Sequence, residues 1–112
     1  MKVIDIHSHL YPKEWMDYLE ERKGSLTLKR TSPTDMIFYY KGARLATVSR
    51  PGHYDPEARM KDMDAYGIEM QIMSLTTPSV ELISVKESVS WAKKVNDYLA
   101  TVCEKYRGRL YA

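Results

Sequence analysis

Two histidines at the end of the first apolar segment are the residues whose types and spacing most clearly suggest chemistry. His7 and His9 flank Ser8 and follow the short run Lys2 to Ile6. Side chains two apart in a strand share a face, so both imidazoles can converge on one point beyond the strand. Two imidazoles can bind zinc, although a catalytic zinc ion usually takes three protein ligands and keeps one open position. At least one further ligand is therefore required.

A second interpretation of the pair is structural. A bare His-x-His can equally cap a strand end or bond to nearby backbone. Asp5 favours the metal interpretation, because a carboxylate on the buried side of the strand could accept a bond from a ligand or a neighbour. Ser8 points to the face opposite the histidines, which makes a serine-histidine dyad geometrically awkward.

Two loop residues are weaker candidates. Arg50 precedes Pro51 and Gly52, which fix the backbone, and its guanidinium could hold a substrate carboxylate in bidentate fashion. Most loop arginines are simply solvated, and position alone favours that alternative. His53 is the remaining histidine, and nothing in its loop setting indicates that it reaches the same point as the other two. No glycine-rich phosphate loop, Cys-x-x-Cys pair or nucleophile elbow is present.

The elements that must position these residues alternate between strand and helix. The first strand has the apolar, β-branched character of a buried strand, and the segment 25–50 has the character of a β-hairpin insertion. Asp55 and Ser84 are predicted helix N-caps, and Gly67 a helix end. The predicted strands are 2–6, 36–40, 43–48, 68–75 and a start at 109–112; the predicted helices are 13–23, 56–66 and a long helix from 85 to about 106. Outside the hairpin this is a βαβαβ series, which builds a parallel sheet with functional loops at the carboxyl ends of its strands.

Composition excludes several classes of protein. The 112 residues support at most one domain, and 44% of them are hydrophobic. A formal charge of +2, spread along the chain, does not indicate nucleic-acid binding. The lone Cys103 cannot form an internal disulfide, and no stretch approaches the ~18 apolar residues of a membrane span. No secretory signal pattern is present at the amino terminus, so a cytoplasmic protein is expected.

Several motifs in the same order resemble one known family. They are Ile4 to His9 (IDIHSH), Pro12 to Trp15 (PKEW), Arg50, Asp55 to Met60 (DPEARM), and Met63-Asp64 with Gly67. Together they resemble the amino-terminal part of the 2-amino-3-carboxymuconate 6-semialdehyde decarboxylase family, in the amidohydrolase superfamily. The resemblance implies the opening part of a metal-dependent (β/α)8 barrel, with His7 and His9 as ligands of a divalent metal, most simply Zn²⁺. It also implies that Arg50 holds a carboxylate of a small muconate-type or aromatic substrate, which would undergo nonoxidative decarboxylation or, alternatively, hydrolysis or hydration.

The length of the chain departs from that family. A (β/α)8 barrel needs about 250 residues, and this sequence covers its first two to three βα units. The remaining metal ligands and the catalytic acid or base are expected beyond Ala112. The chain is then a fragment of a longer product, one subunit of a split barrel, or a non-catalytic remnant that binds a protein. Uncovered sheet edges predict a companion chain or self-association in each case.

Overall fold

The computed structural model describes residues 1–112 and contains six strands, three α-helices and two short 3₁₀ turns. The strands are β1 (Val3–His9), β2 (Leu26–Arg30), β3 (Met36–Tyr40), β4 (Ala43–Val48), β5 (Ile68–Ser74) and β6 (Leu110–Tyr111). The helices are α1 (Lys13–Glu21), α2 (Pro56–Tyr66) and α3 (Val85–Lys105), and the 3₁₀ turns are Pro51–His53 and Val80–Leu82. The alternation of strand and helix predicted from sequence is confirmed.

The strands form two separate sheets. β1, β5 and β6 make a parallel sheet with β5 in the centre, as the βαβαβ series predicts. β2, β3 and β4 make an antiparallel sheet, so the segment predicted as a two-stranded hairpin contains a third strand. The signal for β2 was the alternation of Leu26 and Leu28 around Thr27, since both leucines are buried and the threonine is only partly so.

Two clusters of apolar side chains hold the fold together. The first joins α1 to the antiparallel sheet and to Trp91 of α3, with Trp15 fully buried at its centre. The rings of Trp15 and Trp91 meet edge to face with centroids 5.2 Å apart, so both tryptophans have a packing role. The second cluster packs α2 and α3 on one face of the parallel sheet; its members are Leu10, Met63, Met73, Val95, Leu99, Val102 and Leu110.

The helix ends follow the capping residues predicted from sequence. The Asp55 side chain accepts the backbone N–H of Glu57, and Ser84 forms a reciprocal capping box with Glu87. Gly67 ends α2 with a positive φ of 67°, in the left-handed region. α1 ends two residues earlier than predicted, because Arg22 is extended and its guanidinium bonds to the carbonyl of Leu26.

The expectation that the first strand is buried is wrong. Val3, Ile4 and Ile6 are 44%, 48% and 76% exposed, and β1 lies at the edge of its sheet. α2 and α3 cover one face of that sheet, where Met73 of β5 is 2% exposed. On the other face, Ile72 is 45% exposed. The apolar residues of β1 therefore face solvent in this chain.

None of the three helices combines the length and the apolar character that crossing a membrane requires.

Candidate metal centre

The two imidazoles at the end of β1 converge as their spacing predicts. The Nε2 atoms of His7 and His9 lie 3.0 Å apart, and the rings meet edge to face at 88° with centroids 4.8 Å apart. Both rings stand at the carboxyl end of a parallel strand, the edge at which βα folds place their functional loops. The pair is thus two nitrogen donors directed at one small region.

A β-bulge determines which face of the sheet the pair occupies. Asp5 pairs with Gln71 and Ser8 with Met73, so β1 advances three residues while β5 advances two. The extra residue reverses the alternation, and His9 therefore lies on the opposite face from Asp5. Ser8 instead shares the helix-covered face with Met73, and its hydroxyl donates to the carbonyl of Ile72 at 3.0 Å. The serine takes no part in a dyad, as predicted.

Asp5 accepts hydrogen bonds from a candidate ligand and from a neighbour, the two kinds of donor that the sequence suggested. Its carboxylate accepts the backbone N–H of His7 at 3.0 Å and the side-chain amide of Gln71 at 2.9 Å. The bond from His7 comes from its backbone and not from its imidazole. The bulge at this point has no direct signal in the sequence.

Ser74 is a site residue that the sequence analysis missed. It ends β5, pairs with His9, and places its Oγ 3.1 Å from His9 Nδ1. When Nδ1 carries the proton and donates it to this hydroxyl, Nε2 keeps its lone pair for a metal. The sequence signal was its position near the end of the second predicted core strand, because the carboxyl ends of neighbouring parallel strands meet at one edge of a sheet.

Arg59 is the second missed residue, and it lies beneath the histidines. It is 6% exposed; one Nη donates to Gln71 Oε1 at 2.8 Å and the other donates to the carbonyl of His9. Burial lowers the pKa of Arg59, while the charges of Asp5 and Asp62 oppose that shift. The sequence signal was its position four residues before Met63, on the inward face of α2.

Arg50 and His53 approach the site from the turn after β4. Arg50 precedes the turn, and both residues line a pocket of about 150 Å³ together with Arg59, Asp62 and Gln71. The backbone N–H of Tyr11 donates to the His53 carbonyl at 2.8 Å, which ties this turn to the segment that follows β1. Arg50 is exposed, and the pocket that it lines does not include His7 or His9.

The charge around His53 is positive. Burial lowers its pKa most, and the neighbouring charges of Arg59, Arg50 and His9 lower it further. No group of three or more His, Cys, Asp or Glu side chains converges in the 112 residues, so the structure does not bring His53 to the other two histidines as a third donor.

The histidine pair has suitable donors and separation for a divalent transition metal. With Zn–N bonds of about 2.0–2.1 Å, two nitrogens at right angles lie about 2.9 Å apart and two at the tetrahedral angle about 3.4 Å apart. The Nε2 separation of 3.0 Å falls within that interval. The residues therefore fit one half of a metal site, and the other protein ligands must come from elsewhere.

Comparison with known proteins gives relatives of one kind. No protein-family model matches the sequence. The 2-amino-3-carboxymuconate-6-semialdehyde decarboxylase of Caenorhabditis elegans is 32% identical over 113 residues, which cover 96% of this chain and 27% of that protein. The gamma-resorcylate decarboxylase of Rhizobium radiobacter is 40% identical over 57 residues, which cover 50% of this chain and 17% of that protein.

A solved structure shares the fold. The crystal structure of Metarhizium anisopliae IDCase in apo form superimposes with a TM-score of 0.78 and 21% identity over 97% of this chain and 33% of that one. The Caenorhabditis elegans decarboxylase matches nearly the whole of this chain, and the chain spans about a quarter of the length of that decarboxylase. The order of motifs, the fold and these relatives agree, and the chain is similar to the amino-terminal part of decarboxylases of the amidohydrolase superfamily.

Proposed function

We propose that this chain is the amino-terminal part of a zinc-dependent decarboxylase, in which His7 and His9 are two of the metal ligands. The observation that carries the proposal is the convergence of their Nε2 atoms, 3.0 Å apart, at the carboxyl end of β1. The relatedness to two decarboxylases supports the reaction class. A bound divalent ion would supply Lewis acidity that polarises an oxygen of the substrate.

The protein's own side chains have two roles in this proposal. Ser74 accepts a hydrogen bond from the Nδ1–H of His9, which leaves the Nε2 lone pair of that histidine available to the metal. Arg50 binds a carboxylate of the substrate, since its planar guanidinium offers two parallel donors and the nearby Arg59 adds positive charge. In the reaction, the carbon–carbon bond to the departing carboxylate breaks, CO₂ leaves, and a proton takes its place on the substrate carbon.

The parallel sheet is proposed to continue into a (β/α)8 barrel. Ile72 of β5 pairs with Tyr111 of β6, and both are about 45% exposed on the face that the helices leave uncovered. β1 and β6 each have a free edge, and exposed sheet edges in proteins are normally paired or covered. Further strands, from additional polypeptide or a companion chain, would cover this face and bring the missing ligands to the histidine pair.

Two other functions are consistent with part of the structure. Carboxylate binding by Arg50 would serve a metal-dependent hydrolase or hydratase equally well, because neither the histidine pair nor Arg50 determines which bond of the substrate breaks. A non-catalytic remnant that binds a protein partner is favoured by the uncovered apolar face of the sheet. Metal content separates the remnant from the enzymes, and release of CO₂ separates the decarboxylase from the hydrolase.

The test is an assay of metal and activity on the protein purified from its own source with any polypeptide that copurifies. Gamma-resorcylate and a 2-amino-3-carboxymuconate semialdehyde are the first substrates, and CO₂ release is measured. His7→Ala is expected to remove both metal and activity. Ser8→Ala is the matched control, because that side chain lies between the histidines yet bonds to Ile72 on the other face. Metal retained by His7→Ala would contradict the proposal.

A further inference from the structure

A chain of hydrogen bonds, buried at its Arg59–Gln71 end, connects to the backbone of both candidate ligands. It runs from the guanidinium of Arg59 to the amide of Gln71, and from that amide to the carboxylate of Asp5. Arg59 and Gln71 are 6% and 8% exposed, so both are held away from water. Each end of the chain reaches the backbone of one candidate ligand: Arg59 donates to the carbonyl of His9, and Asp5 accepts the N–H of His7.

These side-chain bonds lie at the bulge and just beyond it. A bulge interrupts the regular ladder of strand hydrogen bonds. Here the register slips between Asp5 and Ser8, the segment that contains His7, and Asp5 accepts the N–H of His7 within it. Arg59 donates to the carbonyl of His9, where β1 is again paired with β5. The chain of bonds therefore holds the backbone at both histidines.

The charges of Arg59 and Asp5 determine how the amide of Gln71 is oriented between them. Gln71 turns its carbonyl oxygen toward the cationic Arg59 and its NH₂ toward the anionic Asp5. An amide flipped by 180° would place its NH₂ against the guanidinium and its oxygen against the carboxylate, which is unfavourable at both ends. The charged groups at both ends therefore favour a single orientation of the Gln71 amide.

We infer that Arg59 is a positioning residue for the metal site, acting with Gln71 and Asp5 to hold the backbone of His7 and His9 so that their Nε2 atoms converge. The inference rests on the proposed metal site and goes beyond it, because it assigns the affinity of that site to a buried arginine on α2. Arg59 touches neither imidazole, and its effect passes through the backbone of β1.

The expected effect follows from the geometry of the side chain. Arg59 bridges two acceptors, Gln71 Oε1 and the His9 carbonyl, from the two Nη atoms of one rigid plane. A lysine ammonium is a single point on a flexible stem and cannot hold both acceptors in that geometry. Loss of a residue that orients metal ligands lowers affinity by about 10–100-fold. Arg59→Lys is expected to weaken the binding of Zn²⁺ and Co²⁺ to this extent.

The chain offers a closely matched control in Arg22. This side chain is also largely buried, donates from one Nη to the carbonyl of Leu26 and from the other to Glu87, and likewise has an Nε without a partner. It lies on the seam between α1 and α3, away from the histidines. Arg22→Lys therefore reproduces the loss of a bridging arginine without disturbing the bulge, and is expected to leave metal affinity unchanged within about twofold.

The experiment measures Zn²⁺ affinity by competition with a chelator, and the visible absorption of bound Co²⁺, on the protein purified as it is assembled in its source. The expected result is weaker Zn²⁺ binding and an altered Co²⁺ spectrum in Arg59→Lys, with neither change in Arg22→Lys. Gln71→Met, which keeps the side-chain volume but removes both bonds, should weaken Zn²⁺ binding in the same direction.

Two results would overturn the inference. One is wild-type Zn²⁺ affinity in folded Arg59→Lys. The other is misfolding of Arg59→Lys together with normal affinity in Gln71→Met, which would make Arg59 purely structural. Failure of the proposed function is a separate result: His7→Ala would then retain its metal, whatever Arg59→Lys does.

Discussion

Replacement of Leu10 by alanine should destabilise this protein strongly, because the residue that follows the histidine pair is also the start of the second core cluster. Leu10 is 0% exposed and packs in the cluster that contains Met63, Met73 and Leu99. Leu10→Ala removes three carbons, worth about 0.8 kcal/mol each, or about 2.4 kcal/mol in transfer free energy. The cavity left behind raises the expected loss to about 3–4 kcal/mol, within the usual range for buried leucines.

Leu45 provides the control for this prediction. It lies on β4 and is 41% exposed, so the same substitution removes the same atoms but leaves no enclosed cavity. The expected cost of Leu45→Ala is about 1 kcal/mol. Free energies of unfolding from urea titrations would be compared for the two variants and the parent. Equal losses in both variants would refute the account of the core, because they would mean that Leu10 is not enclosed by the second cluster.

Three further predictions concern pH, a turn and the substrate. Hydrogen bonds, led by that from Ser84, lower the pKa of Glu87 from 4.5 to about 2, so its stabilising effect is present above pH 4.5 and is lost as the pH falls toward 2; thermal midpoints of Glu87→Gln should lack this pH dependence. Gly67 has a φ of 67° and open space around it, so Gly67→Ala should cost about 1 kcal/mol from backbone strain alone, measured by urea titration. Arg50→Lys should lower kcat/KM about 10–100-fold, mainly through KM, by loss of the bidentate bond, whereas Arg44→Lys, also exposed, should not.

Local signals predicted much of the fold. Asp55 and Ser84 are N-caps because their side-chain oxygens accept helix N–H groups, and this requirement is visible in the sequence. The spacing of His7 and His9 predicted the convergence of their rings, because side chains two apart in a strand share a face. Each of these outcomes depends on residues within a few positions of one another.

Outcomes that depend on distant pairing were not predicted. The bulge between Asp5 and Ser8 exists only in relation to β5, 66 residues further along the chain, and it decides which face each side chain occupies. Ser74 joins the site through the same strand pairing, and Arg59 joins it by a side-chain bond from α2 to the carbonyl of His9, 50 residues earlier in the chain. The exposure of Ile6 was missed because a β-branched run is typical of a buried strand, whether or not the chain itself provides the covering layer.

Native mass spectrometry of the protein from its own source tests the central claim most directly, because one spectrum reports bound metal and companion polypeptide together. The account predicts one divalent ion for each copy of this chain, lost in His7→Ala and retained in Ser8→Ala, in a species that also carries the remaining strands of a barrel. A metal-free species would contradict the proposal that His7 and His9 belong to a metal centre, and would favour a protein-binding role for the exposed sheet.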